Sequence, residues 1–204
     1  MTVLPRSVTA LGVSVLALLF ERPMHPYEMW QVLGTRLRDR LVKVRPGSLY
    51  HAVERLERDE LVTATGVDRQ GNRPERTTYE ITDAGRDAVR QWVADTVRVP
   101  APEYPRFPLG LSELHNLSSA EALTLLDERI AALDAQLVDL DVLADTARDV
   151  PELFTVPFAY TRAMIRAELD WLRAFVGRVR AGDVPWVTDA HLSSLKLTDL
   201  KGNR

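Results

Sequence analysis

A ridge of polar side chains recurs at helical spacing within residues 48–58. It consists of Ser48, His51, Arg55 and Arg58, at positions i, i+3, i+7 and i+10. Leu49, Val53 and Leu56 form a separate apolar stripe, so a helix here would bury one face and expose the ridge. Hydroxyl, imidazole and guanidinium groups donate hydrogen bonds to phosphate oxygens and to base edges. The ridge therefore indicates nucleic-acid recognition.

The charge around this ridge is locally basic. Residues 34–58 hold seven Lys and Arg against three Asp and Glu, although the whole chain has a net charge of -3. A DNA-binding protein needs positive charge only on the face that docks, because counterions are released where the protein meets phosphates. A helical face that is merely solvated would show the same local excess of basic residues. The predicted DNA-contacting residues are His25, Tyr27, Lys43, Ser48, Tyr50, His51, Arg55, Arg73 and Arg76. Tyr50 is equally compatible with a place in the core.

Three helices would position the ridge. Thr9–Phe20 is apolar nearly all round, which favours a central helix; it is too short to span a bilayer and lacks the cleavage site of a signal peptide. A second helix is predicted from about Pro26 to Gly34, with proline in its first turn. Pro46-Gly47-Ser48 predicts a stop and restart, with Ser48 as the N-cap of the third helix.

A β-hairpin is predicted after the third helix. Leu61–Thr65 and Thr77–Ile81 are rich in β-formers, and the predicted tip between them carries Arg69, Arg73 and Arg76. Thr82 is predicted to cap a fourth helix, Asp83–Val97. Three helices followed by a hairpin with a basic tip predict a winged helix-turn-helix.

The second half of the chain predicts long helices. Four prolines in Val99–Pro108 argue against regular structure there. Ser118–Arg148 opens with a capping-box pattern. Its seam, Leu123, Leu126, Ile130, Leu133, Leu137 and Leu140, follows 3-4 spacing; the partner of the seam, in the same chain or in a second one, stays open. A final helix is predicted from Pro157 to Arg180 with two apolar faces, followed by a tail.

The predicted fold is mainly α: an N-terminal winged helix-turn-helix with a two-stranded β-wing, plus a C-terminal helical dimerisation domain. The predicted boundaries are 1–98 for the DNA-binding domain, 99–117 for a proline-rich linker, 118–182 for the dimerisation domain and 183–204 for the tail.

Short motifs along the chain resemble those of the PadR family of transcriptional regulators. Pro23-Met24-His25-Pro26-Tyr27-Glu28 is similar to the opening of that family, with Pro26 where the family usually has glycine. Gly47-Ser48-Leu49-Tyr50 resembles its recognition-helix signature, and Thr82-Asp83-Ala84-Gly85 resembles the start of its fourth helix. The remainder resembles a subgroup with a long C-terminal domain.

The resemblance implies a homodimeric regulator, commonly a repressor, that binds a near-palindromic operator in double-stranded DNA. Some members respond to small aromatic or cationic compounds. Trp92, Trp171 and Phe175 are candidates for lining an effector cavity, although such residues are more often plain core. A cytoplasmic protein is expected, and the absence of cysteine fits that compartment.

Two alternatives compete with this interpretation. An enzyme is disfavoured because the four histidines lack ligand spacing and no phosphate-binding glycine loop or nucleophile motif is found. We therefore expect no cofactor, no metal and no membrane association. A winged-helix module that binds only protein is the second alternative; its docking face would carry more exposed apolar residues.

Overall fold

The computed structural model describes residues 8–35, 41–68 and 76–187. The chain forms two compact units, Met1–Glu103 and Tyr104–Arg204. The first contains helices α1 (Ala10–Leu19), α2 (Pro26–Thr35), α3 (Pro46–Arg58) and α4 (Asp83–Arg98) and strands β1 (Val62–Asp68) and β2 (Arg76–Ile81). The second contains α5 (Arg106–Ser112), α6 (Ser119–Thr146) and α7 (Glu152–Ala181). The predicted fold class, a mainly helical chain with a two-stranded wing, is confirmed.

Helix α1 is the centre of the first unit. The Thr9 side chain caps it by accepting a hydrogen bond from the Gly12 N–H at 3.1 Å. Val15, Leu16 and Leu18 are fully buried because α1 contacts α2, α3, α4 and β2. The apolar composition on all sides of this helix thus corresponds to burial on most sides.

The wing is tied to the helices by backbone hydrogen bonds. β1 and β2 pair antiparallel from Val62 opposite Ile81, with an irregularity between Ala64 and Gly66. The Met24 N–H donates to the Tyr79 carbonyl at 3.1 Å, and the Tyr79 N–H donates to the Met24 carbonyl at 3.0 Å. This bridge fixes the segment before α2 against β2.

The junction between α3 and α4 is closely packed. Glu60 has a left-handed backbone with φ 59°, and its carbonyl accepts a hydrogen bond from the Thr82 hydroxyl at 2.9 Å. The same hydroxyl caps α4 by accepting from the Gly85 N–H at 3.0 Å, which confirms Thr82 as a cap. The Leu61 carbonyl lies so close to Gly85 that an added Cβ would approach it to 2.2 Å.

Helix α5 differs from the sequence-based expectation for residues 99–108. It begins at Arg106 and includes Pro108, which we expected to exclude regular helix. The expectation was wrong at this end because the N–H groups of the first helical turn have no intrahelical partner, so proline costs no hydrogen bond there. The predicted linker, 99–117, remains a prediction.

Helix α6 begins with the predicted capping box. The Ser118 hydroxyl accepts from the Glu121 N–H at 3.3 Å, and the Ser118 N–H donates to the Glu121 carboxylate at 2.9 Å. Hydrogen bonds from the hydroxyl and the backbone N–H of Ser118 hold the pKa of Glu121 below its ordinary value.

The heptad seam of α6 packs against α7 of the same chain. Leu126, Leu133 and Leu140 are buried, and they share a cluster with four residues of α7, namely Ile165, Leu169, Leu172 and Val176. The question left open by the sequence is thus answered in favour of packing within one chain.

Ion pairs flank this seam and follow the antiparallel pairing of the two helices. Arg173 Nη2 lies 2.7 Å from Asp134 Oδ2, and Arg162 Nη2 lies 2.6 Å from Asp141 Oδ1. Arg180 pairs with Asp127. The three aspartates are seven residues apart, so they follow the same side of the seam.

Helix α7 starts five residues earlier than predicted, at Glu152. Pro151 is its N-cap, and Pro157, expected to open the helix, lies inside it. The prediction was wrong because the carbonyl that loses its N–H partner belongs to Leu153, and Leu153 lies in an exposed first turn where water can satisfy it.

The end of α7 is well defined. Gly182 adopts the left-handed conformation with φ 79°, which glycine allows without strain. The indole N–H of Trp186 then donates to the Leu117 carbonyl at 2.8 Å, so the start of the predicted tail is anchored. Residues 188–204 lie outside the described part. Among the described helices, none combines the length and the apolar character needed to cross a membrane.

Candidate nucleic-acid interface

Helix α3 separates its two faces as its periodicity predicts. Leu49, Val53 and Leu56 are buried, whereas Ser48, His51 and Arg55 are exposed. Arg58 is exposed as well. The ridge is therefore outside and the stripe is inside, which is the arrangement that a groove-binding helix requires.

Ser48 is not the N-cap of α3, contrary to the prediction. The helix begins at Pro46, its N-cap is Arg45, and no side chain caps it by a hydrogen bond. Proline with its fixed φ suits the first helical position, so the helix starts two residues before the serine. Ser48 consequently lies within the first turn, exposed on the outer side.

Charged partners are present on the outer face of α3. His51 Nδ1 lies 3.3 Å from Glu54 Oε2, and both side chains are largely exposed, at 81% and 61%. Arg55 Nε lies 4.0 Å from Asp59 Oδ2. Pairs as exposed as these are weak, so a phosphate or base could displace either of them at little cost.

The start of α2 lies beside this face. His25 Nδ1 accepts a hydrogen bond from the Glu28 N–H at 3.0 Å, so this nitrogen carries no proton and Nε2 is left as the donor. The ring of Tyr27 is stacked on His25 with centroids 6.3 Å apart. Pro26 is buried at the first position of α2, a position where proline is tolerated.

A shallow pocket of about 230 Å³ joins α2, α3 and the wing. It is lined in part by His25, Tyr27, Tyr50, Glu54, Thr77 and Tyr79. Tyr50 is 46% exposed, so it is not a plain core residue. The Tyr79 hydroxyl donates to Glu57 Oε2 at 3.4 Å. Burial, followed by the negative charge of Glu57 and this hydrogen bond, raises the pKa of Tyr79 above its ordinary value, so the hydroxyl keeps its proton.

Several of the predicted basic contacts lie at the edge of the described residues or outside them. Lys43 is exposed just before α3. Arg76 begins β2, but its side chain lies outside the described part, and so do Arg73, Arg69 and residues 36–40. The wing arginines therefore stay predictions.

Two residues on this surface, Glu54 and Tyr79, were not among the predicted DNA-contacting residues. Glu54 follows His51 by three residues, so helical spacing alone predicts that it lies on the exposed face. It was not selected because the predicted contacts were hydrogen-bond donors, whereas a carboxylate is an acceptor. Tyr79 could be found only once the pairing of β2 with Met24 was known.

The predicted effector residues lie on two units. Trp92 belongs to α4 in the first unit. Trp171 and Phe175 lie on α7 in the second, where their rings stack with centroids 5.2 Å apart and an interplanar angle of 11°. A cavity lined by all three remains a prediction. Within the described ranges, no group of three or more His, Cys, Asp or Glu is placed to hold a metal ion.

Comparison with known proteins agrees with the architecture. Residues 15–91 match the family described as the Transcriptional regulator PadR-like family. No curated protein matches the sequence.

Solved structures resemble this chain over most of its length. Bacillus subtilis PadR in complex with operator DNA is 18% identical, with 84% of this chain and 99% of that chain covered and a TM-score of 0.70. The same protein in complex with p-coumaric acid gives 16% identity, the same coverage and a TM-score of 0.68. The Vibrio cholerae virulence activator AphA gives 16% identity, again 84% and 99% coverage, and a TM-score of 0.65. Identities this low show the fold alone.

The family match covers the segment in which the sequence motifs occur, and the shared fold includes the wing and the long C-terminal helices. The resemblance inferred from the sequence is thus confirmed. Residues 15–91 of this chain match the PadR-like family of transcriptional regulators.

Proposed function

We propose that this chain is a sequence-specific DNA-binding regulator that acts as a homodimeric repressor on a near-palindromic operator. The observation that carries the proposal is the separation of faces on α3, with Leu49, Val53 and Leu56 buried and the polar ridge exposed. A helix of this kind fits the major groove of B-DNA, where base edges are distinguishable. A regulator rather than an enzyme is in keeping with the family.

The contacts to DNA would come from three elements. In this proposal α3 enters the major groove, where Ser48, Tyr50 and His51 face base edges and Arg55 binds a phosphate at the side of the groove. His25 and Tyr27, at the start of α2, and Lys43 reach the adjacent backbone, with His25 donating from Nε2. Arg73 and Arg76 of the wing bind phosphates beyond the groove.

Dimerisation would use the second apolar face of α7. Tyr160, Met164 and Trp171 recur along this helix and remain exposed in the single chain, with Trp171 at 49%, whereas the opposite face is covered by α6. A row of large exposed apolar side chains at helical spacing favours packing against another helix. A second copy of α7 across a two-fold axis supplies such a face.

A small aromatic or cationic effector is the proposed signal for release. Trp92, Trp171 and Phe175 are the residues proposed to bind it. The stacked pair on α7 offers an aromatic surface of the kind that flat rings and cations favour. The Bacillus subtilis PadR structure with p-coumaric acid supports the idea for a protein of the same fold. The proposal places the chain in the cytoplasm, with the DNA it binds.

Replacing Arg55 by alanine is expected to weaken binding to all DNA sequences. A guanidinium that neutralises one phosphate releases about one counterion, so the slope of log affinity against log salt should fall by about 0.9. Fluorescence anisotropy with operator and random duplexes at several salt concentrations measures this slope.

Arg148→Ala is the matched control, because Arg148 is an exposed arginine just beyond the C-terminal end of α6 that pairs with Asp145. Its slope should equal that of the parent chain. An Arg55→Ala variant that also retains the parental slope would remove Arg55 from the phosphate contacts.

A further inference from the structure

An acidic side chain lies in the middle of the otherwise hydrogen-bond-donating face of α3. Glu54 follows His51 by three residues and precedes Arg58 by four, so the three lie on one line of the helix. The buried stripe lies on the opposite side. The Glu54 side chain is 61% exposed.

The carboxylate is held only loosely. His51 Nδ1 lies 3.3 Å from its Oε2, and the His51 side chain is 81% exposed, so this pair adds little to stability. Glu54 therefore has acceptor capacity left on the exposed face, since a carboxylate can accept about four hydrogen bonds.

A negative charge at this position opposes sequence-independent binding. Non-specific affinity comes from cations that replace the counterions of phosphates, and a carboxylate repels the same phosphates. If α3 enters the major groove, Glu54 gains a further hydrogen bond only where a base edge donates one to it. The position is suited to selecting a sequence rather than to strengthening binding.

The chemistry of the groove restricts which base can donate. Guanine and thymine present acceptors there, which repel a carboxylate. Adenine offers its N6 amino group beside the N7 acceptor, whereas cytosine offers its N4 amino group without an adjacent acceptor. Cytosine is consequently the base whose major-groove edge best complements Glu54.

We infer that Glu54 is a specificity-determining residue that accepts a hydrogen bond from the N4 amino group of a cytosine in each half-site. The inference rests on the proposed function, since it requires α3 to lie in the major groove. The preference for cytosine at one base pair of each half-site is thus attributed to the side chain of Glu54.

The test compares the full-length chain with Glu54→Gln and Glu54→Ala on a set of operator duplexes in which each base pair is changed in turn. The parent chain should prefer cytosine at one position of each half-site by about tenfold, within the range of a good base contact. Glu54→Ala should lose this preference. Glu54→Gln should shift it toward adenine, because the glutamine amide matches both N6 and N7. Both variants should bind random DNA more tightly than the parent.

Glu128→Gln is the matched control, because it removes the same charge from an exposed position on α6 and should change no base preference. Identical preferences for the parent and both Glu54 variants at every position would overturn the inference, and so would a loss confined to an A·T pair. Both results leave the proposed function intact. A parent chain that shows no preference for any duplex would instead remove the proposed function itself.

Discussion

Replacing Met164 and Trp171 together by glutamate is expected to convert a dimer into a monomer and to weaken operator binding by about 1,000-fold. The loss follows because two linked recognition helices bind with an avidity that exceeds the affinity of either one by about 10²–10⁴. Both side chains are about half exposed in the single chain, so the substitutions should leave the fold of the monomer intact. The dimer of the variant would have to bury four carboxylates, two from each copy, and the free-energy cost of burying these charges favours separate chains.

Mass measurement by light scattering and operator titration by anisotropy together test this expectation. The parent should have twice the chain mass of 23.0 kDa, and the double variant should have that mass once. Arg166→Glu is the matched control, since it changes the charge by the same two units on an exposed position of α7 away from the apolar row. A double variant that still has the dimer mass would show that another surface joins the copies.

Gly85→Ala is expected to destabilise the first unit by about 3 kcal/mol, at the upper end of overpacking costs. A Cβ at this position would lie 2.2 Å from the Leu61 carbonyl oxygen and 2.8 Å from Ile81 Cγ1. Both neighbours belong to the junction that holds the wing against α4, and the carbonyl oxygen is backbone, so it cannot move aside easily. For a unit of this size the midpoint of thermal unfolding should fall by roughly 15 °C.

Amide hydrogen exchange, resolved residue by residue, measures the loss of stability in the first unit separately from the second. Protection should fall in α1, α3 and β2, while α6 and α7 keep theirs. Gly34→Ala is the control within the same unit, because no atom lies within 4 Å of the Cβ it would add and helix propensity then favours alanine by up to about 1 kcal/mol. Equal stability of the two variants would contradict the close approach at Gly85.

The sequence predicted those features that depend on local periodicity. The buried and exposed faces of α3 follow from apolar residues at i, i+4 and i+7. The capping box at Ser118 and the cap at Thr82 follow from short-range side-chain chemistry, and both are present.

The mistakes concern features that local patterns leave undecided. Proline is compatible with the first turn of a helix, so Pro46 and Pro108 each allowed more than one starting point. Pro157 lies in the second turn of α7, where the exposed first turn tolerates the lost hydrogen bond. The pattern of apolar residues could show that the seam of α6 is buried but could not show which helix covers it. That choice depends on tertiary pairing, here the packing of the seam against α7.

The candidate site was predicted in part for the same reason. Helical spacing placed His51 and Arg55 on the outer face of α3. The contact of Tyr79 with Glu57 joins residues 22 positions apart, and no local pattern reports such a pair. Glu54 was in reach of the pattern, but a search guided by positive charge does not select an acceptor.

The central claim is that two copies of α3 enter the major groove on one face of a duplex. Hydroxyl-radical and methylation footprinting of the full-length chain on the DNA upstream of its own gene tests it most directly. The account predicts two protected major-groove patches related by a two-fold axis and separated by about 10 bp or a multiple of it. Protection of a single half-site, or protection that is uniform and independent of sequence, would contradict it.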